Sequence, residues 1–234
     1  MSEDVNESAS ENVTSNLPVS IQEQLRKELA NLSNQVEPPS SNKISTKGKV
    51  FTLPDGRSSP GPIRVIVLDF VAINMTYGGP YNPNVRTPPS CWAIGKDLKT
   101  MAPSKLVPKP QSPSCDVCAQ NQWGSGAGGN GKACKNQRRL LVIPPDFADG
   151  AEPMSLYVSP TGLKGWNRYI DKDLRAEFGV LPIQVVSDIG FDPNQAYPTL
   201  TFKYVGKHGD LERAMALRAK YADILWKEPE ARAA

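Results

Sequence analysis

The sequence of 234 residues predicts a mainly β protein with flanking helices (α+β), because apolar runs of strand length outnumber helical patterns. Three strand regions come first, a helix follows them, and two more strands come after the helix. This order is compatible with a five-stranded OB barrel, which places its helix between its third and fourth strands. An α+β sandwich can share the same order, so the OB-like barrel is the preferred interpretation of the two.

The N-terminal 48 residues are predicted to precede the barrel. Residues 1–19 are rich in Ser, Asn and acidic residues, a composition typical of disorder. Ser20 and Glu23 then form a capping box that starts an amphipathic helix over residues 20–37. We expect this helix to be a packed or homo-oligomerising arm, or alternatively a partner-binding element. Residues 38–48 are expected to be a linker.

The barrel is predicted to occupy residues 49–208. Its longest strand, residues 63–75, has the length of a curved barrel strand, with an irregularity near Asp69. Ser159 and Pro160 start a helix whose buried face includes Trp166 and which Gly179 ends. Residues 209–234 are predicted to be a C-terminal helix and tail. The remaining strands are predicted at residues 50–53, 90–95, 139–143, 154–158, 181–189 and 199–205.

All four cysteines of the chain lie within residues 91–134, and two of them form a Cys-x-x-Cys pair. The residues around them are mostly Pro, Gly, Ser and Lys, which cannot build a core, so a structural zinc ion would supply the missing folding energy. The alternatives are free or partly paired thiols and two disulfides. The acidic, polar N-terminus lacks the pattern of a signal peptide, so we expect a reducing compartment, where disulfides are rare. The sequence predicts a zinc-bearing loop insertion at residues 91–139, with the ligands Cys91, Cys115, Cys118 and Cys134.

Charge is distributed unevenly along the chain. Residues 96–140 carry eight basic and two acidic residues, whereas residues 1–45 carry seven acidic and three basic ones. A basic, Gly-rich region favours polyanion binding, and the alternative is a set of solvated basic loops. No run of eighteen apolar residues exists, so no membrane span is expected. His208 is the only histidine, which disfavours hydrolase dyads that need one.

Binding of single-stranded nucleic acid requires a basic track and aromatic side chains that stack on bases. Trp92 and Trp166 are expected to be core residues, and Trp123 either stacks on a base or packs against the Cys-x-x-Cys pair. Lys96, Lys99 and Lys109 are further candidates for the track. The predicted nucleic-acid-binding set is Tyr77, Tyr81, Lys105, Trp123, Lys132, Lys135, Arg138 and Arg139.

Enzymatic signatures are weak. Residues 126–132 have P-loop spacing, but Ala133 replaces the magnesium-binding Ser or Thr, and no apolar strand or helix flanks the loop. A Gly-rich loop that presents Lys132 to phosphates is the better interpretation. The carboxylates Asp171, Asp173, Asp188 and Asp192 do not match a two-metal spacing. We therefore expect a protein without enzymatic activity, with a nuclease as a less favoured alternative.

The stretch Asn121-Gln122-Trp123-Gly124-Ser125, continued by residues 131–136 (GKACKN), resembles a pattern in tailed-bacteriophage four-cysteine proteins of the single-stranded-DNA-binding type. Further matching pieces extend the resemblance over roughly residues 50–205. It implies an OB barrel with structural zinc that binds single-stranded DNA during phage DNA replication or recombination, in the cytoplasm of an infected bacterial host. Replication or recombination proteins would be its partners.

One departure from the resemblance concerns partner recruitment. Phage proteins of this type often end in an acidic C-terminal tail, whereas the acidic tail of this chain is N-terminal. The alternative function is a zinc-stabilised protein-interaction module of a phage.

Overall fold

The computed structural model describes residues 18, 20–24, 42–79, 87–148 and 150–229. The chain divides into two compact units, residues 1–40 and residues 41–234. In the first unit, residues 20–24 are helical, and the carbonyl of Pro18 accepts a hydrogen bond from the backbone N–H of Ile21 at 2.9 Å. Ser20 is thus already part of the helix rather than its N-cap, because the Pro18 carbonyl also accepts from the N–H of Gln22 at 3.1 Å. The rest of the predicted helix and the tail lie outside the described residues.

The second unit contains the strands β1 Phe51–Thr52, β2 Ser58–Ser59, β3 Ile63–Thr76, β4 Cys91–Gly95, β5 Lys135–Ile143, β6 Met154–Val158, β7 Val185–Phe191 and β8 Leu200–Lys207. The main sheet is antiparallel in the order β6-β5-β3-β7-β8, with β4 also paired to β3. A separate two-stranded sheet joins β1 and β2. The predicted mainly β fold with helices is confirmed. The described strands do not form a closed barrel, because β6 and β8, at the two ends of the order, are not paired with each other.

Strand β3 organises the sheet. One of its edges pairs with β5 over most of its length, and its other edge pairs with β7 in its first part and with β4 in its last part. The register to β5 shifts between Val67 and Asp69, which confirms the predicted irregularity. An extra residue at this point bends the strand and increases its twist. The bend coincides with the gap between the two strands that share this edge.

Helices cover both faces of the sheet. Helix α1, Leu163–Arg168, continues with π-type hydrogen bonding through Tyr169–Phe178 and packs Trp166, Tyr169 and Leu174 into one apolar cluster. Gly179 ends this helix at φ 62°, as predicted. Helices α2, Leu211–Lys220, and α3, Asp223–Trp226, place Ala214 and Leu225 in a second cluster. Because both faces are covered, most of β3 is a continuous apolar run rather than an alternating one. Within the described residues, no helix has both the length and the apolar character needed to cross a bilayer.

Residues 42–48, predicted as part of a linker, belong instead to the packed body. Ile44 is 1% exposed and joins the first apolar cluster. Lys43 pairs with Ser155, and Ser45 pairs with Thr52, as isolated bridges. Each of these bridges involves one residue on each side, so it leaves no periodic pattern in the sequence. The segment was therefore predicted as a linker.

The predicted core tryptophans are confirmed: Trp92 is 3% exposed and Trp166 is 1% exposed. Phe178, at the end of the continuation of α1, is partly exposed and stacks on Tyr204 with ring centroids 4.1 Å apart. The strand predicted from residue 181 begins later, because Pro182–Gln184 forms a 3-10 turn before β7.

Candidate metal centre and nucleic-acid interface

The four cysteines line one small cavity of about 20 Å³. Cys91 pairs with Thr76 across β4 and β3, and Cys134 directly precedes β5, on the other side of β3. Cys115 and Cys118 come from the loop between β4 and β5, residues 96–134, which we call the cysteine insertion. The sheet therefore fixes two of the cysteines, and the insertion folds back to bring the other two to them.

Hydrogen bonds hold the insertion in this position. The backbone N–H of Cys115 donates to the Met101 carbonyl at 2.9 Å, and that of Cys134 donates to the Gln120 carbonyl at 2.8 Å. The side-chain amide of Asn121 donates to the Cys115 carbonyl at 2.7 Å. The amide of Asn136, on β5, donates to the side-chain oxygen of Asn121 at 2.9 Å. A polar network thus connects the Cys-x-x-Cys pair to the sheet.

All four cysteines are free thiols. Burial raises the pKa of Cys115 and Cys134, and the neighbouring cysteines raise both pKa values further. A divalent cation would reverse this preference by stabilising the thiolates. Four sulfur donors and no histidine match the chemistry of a closed structural zinc site rather than a catalytic one. Among the described residues, no three His, Cys, Asp or Glu side chains converge closely enough to form a ligand cluster.

The tip of the insertion presents Trp123 to solvent, with 82% of the residue exposed. The alternative in which Trp123 packs against the Cys-x-x-Cys pair is therefore wrong. The loop around it is well anchored: the N–H of Gly124 donates to the Gly131 carbonyl at 2.8 Å. The hydroxyl of Ser125 donates to the Gln120 carbonyl at 2.9 Å and accepts from the N–H of Ala133 at 3.0 Å.

The glycines of this loop are required by its shape. A Cβ on Gly126 would lie 2.1 Å from the Asn130 carbonyl oxygen, so no larger residue fits there. Gly128 has a φ of 70°, which side chains disfavour. The P-loop-like spacing thus belongs to a tight turn that closes on the last cysteine.

The lysines of the predicted track lie on or beside the insertion. Lys135 is exposed, and its ammonium donates to the Lys132 carbonyl at 3.3 Å. Lys132 is half-buried and donates to the Asn121 side chain at 3.4 Å. The others in the track are exposed: Lys96, Lys99, Lys105 and Lys109.

The two adjacent arginines point to opposite faces of the sheet, because successive side chains of a strand alternate. Arg139 is 6% exposed. It donates to the Tyr157 hydroxyl at 2.8 Å and to the carbonyls at the end of α3, so it holds the C-terminal helices to the sheet. Arg138 is 7% exposed and faces α1. Neither guanidinium belongs to an open surface shared with Lys132 and Lys135.

Tyr77 is 42% exposed, whereas Tyr81 lies outside the described residues. The carboxylates considered for a nuclease are dispersed. Asp188 pairs with Arg64 at 3.1 Å, and Asp171 pairs with Arg175. The carboxylate of Asp192 accepts from the N–H of Asn194 at 2.9 Å.

Two features of this region were not predicted from the sequence. Glu228, near the C-terminus, accepts hydrogen bonds from the indole N–H of Trp92 and from the hydroxyl of Ser104, the latter at 3.0 Å. Arg138 lines a groove against α1. Strand alternation from Leu140 backwards could have separated Arg138 from Arg139, but no sequence signal points to Glu228.

Comparisons of this chain with protein-family profiles, with curated proteins and with solved structures found no match.

Proposed function

We propose that this protein binds single-stranded DNA, largely independently of sequence, and has no enzymatic activity. The observation that carries the proposal is the exposure of Trp123 on a loop anchored by hydrogen bonds. An indole that is 82% exposed contributes nothing to the core, whereas it is available to stack on a base. Stacking tolerates every base because each has a π face.

Cations beside the indole support the same function. Lys135 and Lys132 follow the loop, and the half-buried position of Lys132 fixes its stem. Neutralisation of phosphates by lysines supplies sequence-independent affinity, which falls as salt concentration rises. Phage DNA replication or recombination is the role that the resemblance implies for such an activity, with replication or recombination proteins as partners in an infected bacterial cytoplasm.

We also infer that the sheet is an OB-like barrel left open between β6 and β8, with a zinc-bearing insertion. Three observations support the fold: the long bulged β3, the helix between β6 and β7, and the strand order β6-β5-β3-β7-β8. An OB barrel has this order once its two end strands pair. The cavity shared by the four cysteines supports zinc, which would fix the base of the loop that carries Trp123.

Replacement of Trp123 tests the DNA-binding proposal. Trp123→Ala should weaken binding to a single-stranded oligonucleotide by about 1–3 kcal/mol. The melting temperature should not change, because the indole packs on little. Trp226→Ala, which removes another partly exposed tryptophan (46% exposed), is the matched control and should retain full affinity.

The lysines give a second measurement on the same surface. Replacing both Lys132 and Lys135 by Gln should reduce the slope of log affinity against log salt by ~0.7 for each phosphate that is no longer neutralised. Equal affinity of wild type and Trp123→Ala, with an unchanged slope in the double variant, would overturn the proposal.

A protein-interaction module is the second candidate function. Leu106, Val117 and Trp123 are 65%, 69% and 82% exposed, so the insertion presents apolar side chains as well as cations. Contiguous exposed apolar residues often mark protein interfaces. A wild-type protein that binds no oligonucleotide at low salt would favour this function, and Trp123→Ala would then weaken capture of a phage partner protein instead.

A further inference from the structure

A groove of about 440 Å³ lies between α1 with its continuation, the strands β3 and β5, and the start of the cysteine insertion. The register pairs Ala72 with Arg138 and Phe70 with Leu140, and alternation places Phe70, Ala72 and Arg138 on the face that α1 covers. The bulge at Asp69 and the gap between β7 and β4 open the sheet edge at this point. The volume of the groove is within the range of about 300–1,000 Å³ that small-molecule sites occupy.

Arg138 places a positive charge in this groove that no carboxylate of the described residues neutralises. The residue is 7% exposed, and its guanidinium donates one hydrogen bond, to the carbonyl of Gln137 at 3.1 Å. Within the described part of the chain, no carboxylate lies within 4.0 Å of it. Burial also lowers the pKa of Arg138. A buried guanidinium without a carboxylate partner is costly unless an anion reaches it.

The two acids that line the groove are already neutralised by other cations. Asp69 binds Lys96 at 2.6 Å and Arg218 at 3.2 Å. Asp171 binds Arg175, and Lys172 lies 3.5 Å from its carboxylate. The charge left for a ligand is therefore that of Arg138, and it is positive.

Apart from Asn167 and Lys96, the remaining walls are apolar and partly aromatic. Phe70 lines the groove and meets Trp166 edge to face at 5.1 Å, while Leu98 and Ile170 line it as well. A ligand with one phosphate and one flat, weakly polar ring would satisfy both the guanidinium and these walls. A planar guanidinium binds phosphate oxygens in a bidentate manner.

From these observations we propose that the groove binds one nucleotide unit, with its phosphate on Arg138 and its base against Phe70, Leu98 and Ile170. The source is either a free nucleoside monophosphate or one phosphorylated nucleotide of a DNA strand. Lys96 lines the groove, but Trp123, Lys132 and Lys135 do not, so this site does not depend on the loop and lysines proposed above.

The test is calorimetric titration of the full chain with thymidine monophosphate, thymidine and inorganic phosphate. We expect thymidine monophosphate to bind at least about tenfold more tightly than either fragment, because only it contacts both guanidinium and walls. Arg138→Met should weaken binding of the nucleotide by roughly tenfold or more while retaining or raising the melting temperature, since a buried charge is replaced by an apolar side chain of similar volume. Arg64→Met, on the surface ion pair with Asp188, is the control and should bind as wild type does.

Competition then distinguishes the two sources. Displacement of thymidine monophosphate by a 5′-phosphorylated oligonucleotide assigns the groove to a strand end, and absence of displacement assigns it to the free nucleotide. Trp123→Ala should leave nucleotide binding unchanged, so that failure of one site does not imply failure of the other. No binding of thymidine monophosphate by wild type, or equal binding by Arg138→Met, would overturn the proposal.

Discussion

The cysteine insertion and the sheet to which it is joined are stabilised in different ways. The sheet buries two apolar clusters rich in fully buried Leu, Ile and Val, with helices over both faces. Among the described residues, the cluster under the insertion is small and consists of Ala72, Ala93, Met101 and Cys115. The insertion depends on backbone and amide hydrogen bonds, which contribute about 0.5–1.5 kcal/mol each. The insertion is therefore only weakly stabilised by its own contacts. Binding of an ion in the cysteine cavity would add to its stability.

The largest effect is expected from loss of the zinc ion that we propose for the insertion. Cys118→Ser should release zinc and accelerate hydrogen exchange in the insertion, while amides of β3 stay protected, because an apparent zinc-binding free energy of ~10 kcal/mol or more is lost locally. Elemental analysis and hydrogen exchange measure the two effects. Val117→Ser, at a 69% exposed neighbour, is the control. Wild-type protein without zinc, purified with a fully protected insertion, would refute the metal centre.

A substitution in the core of the sheet should have the opposite effect: it should lower the global stability and leave the proposed zinc ion bound. Trp166→Ala removes a residue that is 1% exposed and should destabilise the fold by roughly 3–5 kcal/mol, because a large cavity remains. Thermal denaturation measures this loss, and elemental analysis should show the zinc content of the folded fraction unchanged. If zinc were lost together with the sheet in the folded fraction, the two regions would not be separable as described.

The pH dependence of the sheet should come in part from Tyr169. Burial raises the pKa of Tyr169 to about 12, from an ordinary value of 10, and its hydroxyl shares a hydrogen bond of 2.6 Å with Ser187. The unfolded state releases the proton first, so this stability is constant below pH 10 and declines between pH 10 and pH 12 by on the order of 2 kcal/mol. Denaturant titrations at several pH values should show a steeper decline for wild type than for Tyr169→Phe. Parallel curves would exclude this residue as the cause.

The smallest effect concerns the link between the two regions. Glu228→Ala should cost about 1–2 kcal/mol, because the buried N–H of Trp92 loses its acceptor. Hydrogen exchange of the Ser104 region should rise, since its hydroxyl also binds Glu228. Glu228→Gln retains a carbonyl oxygen and should recover part of the stability. Equal stability of the Ala and Gln variants would indicate that this hydrogen bond does not stabilise the fold.

Much of the fold was predictable because its signals are local. The bulged β3, the 3-10 turn that begins at Ser159-Pro160 and leads into α1, and the end of that helix at Gly179 each follow from neighbouring residues. Packing of Ile44 was not predictable, because its partners are distant and its bridges involve single residues.

The candidate site was likewise predictable where its signals are local, and not where it depends on distant contacts. The spacing of the cysteines predicted that they would come together; they line one cavity, although no three of them form a ligand cluster in the described part of the chain. The set of cations was grouped by sequence proximity, whereas the alternation of β5 sends Arg138 and Arg139 to opposite faces. The Arg138 groove is also formed by α1, which comes later in the chain. No sequence motif indicates that α1 packs beside Arg138.

The pairing of β3 has a consequence for synthesis on the ribosome. Ile63 pairs with Ile189, and Ile66 pairs with Ile143, so β3 leaves the ribosome long before either partner exists. Residues 63–71 of β3 must remain unpaired while the whole insertion is translated, because β4, the one partner made before it, pairs with Ala72–Thr76. Non-local strand pairing of this kind slows folding and exposes unpaired edges to aggregation. Efficient production of this protein should therefore depend on how quickly the segment between β4 and β5 is translated, even though that segment contributes little to the core.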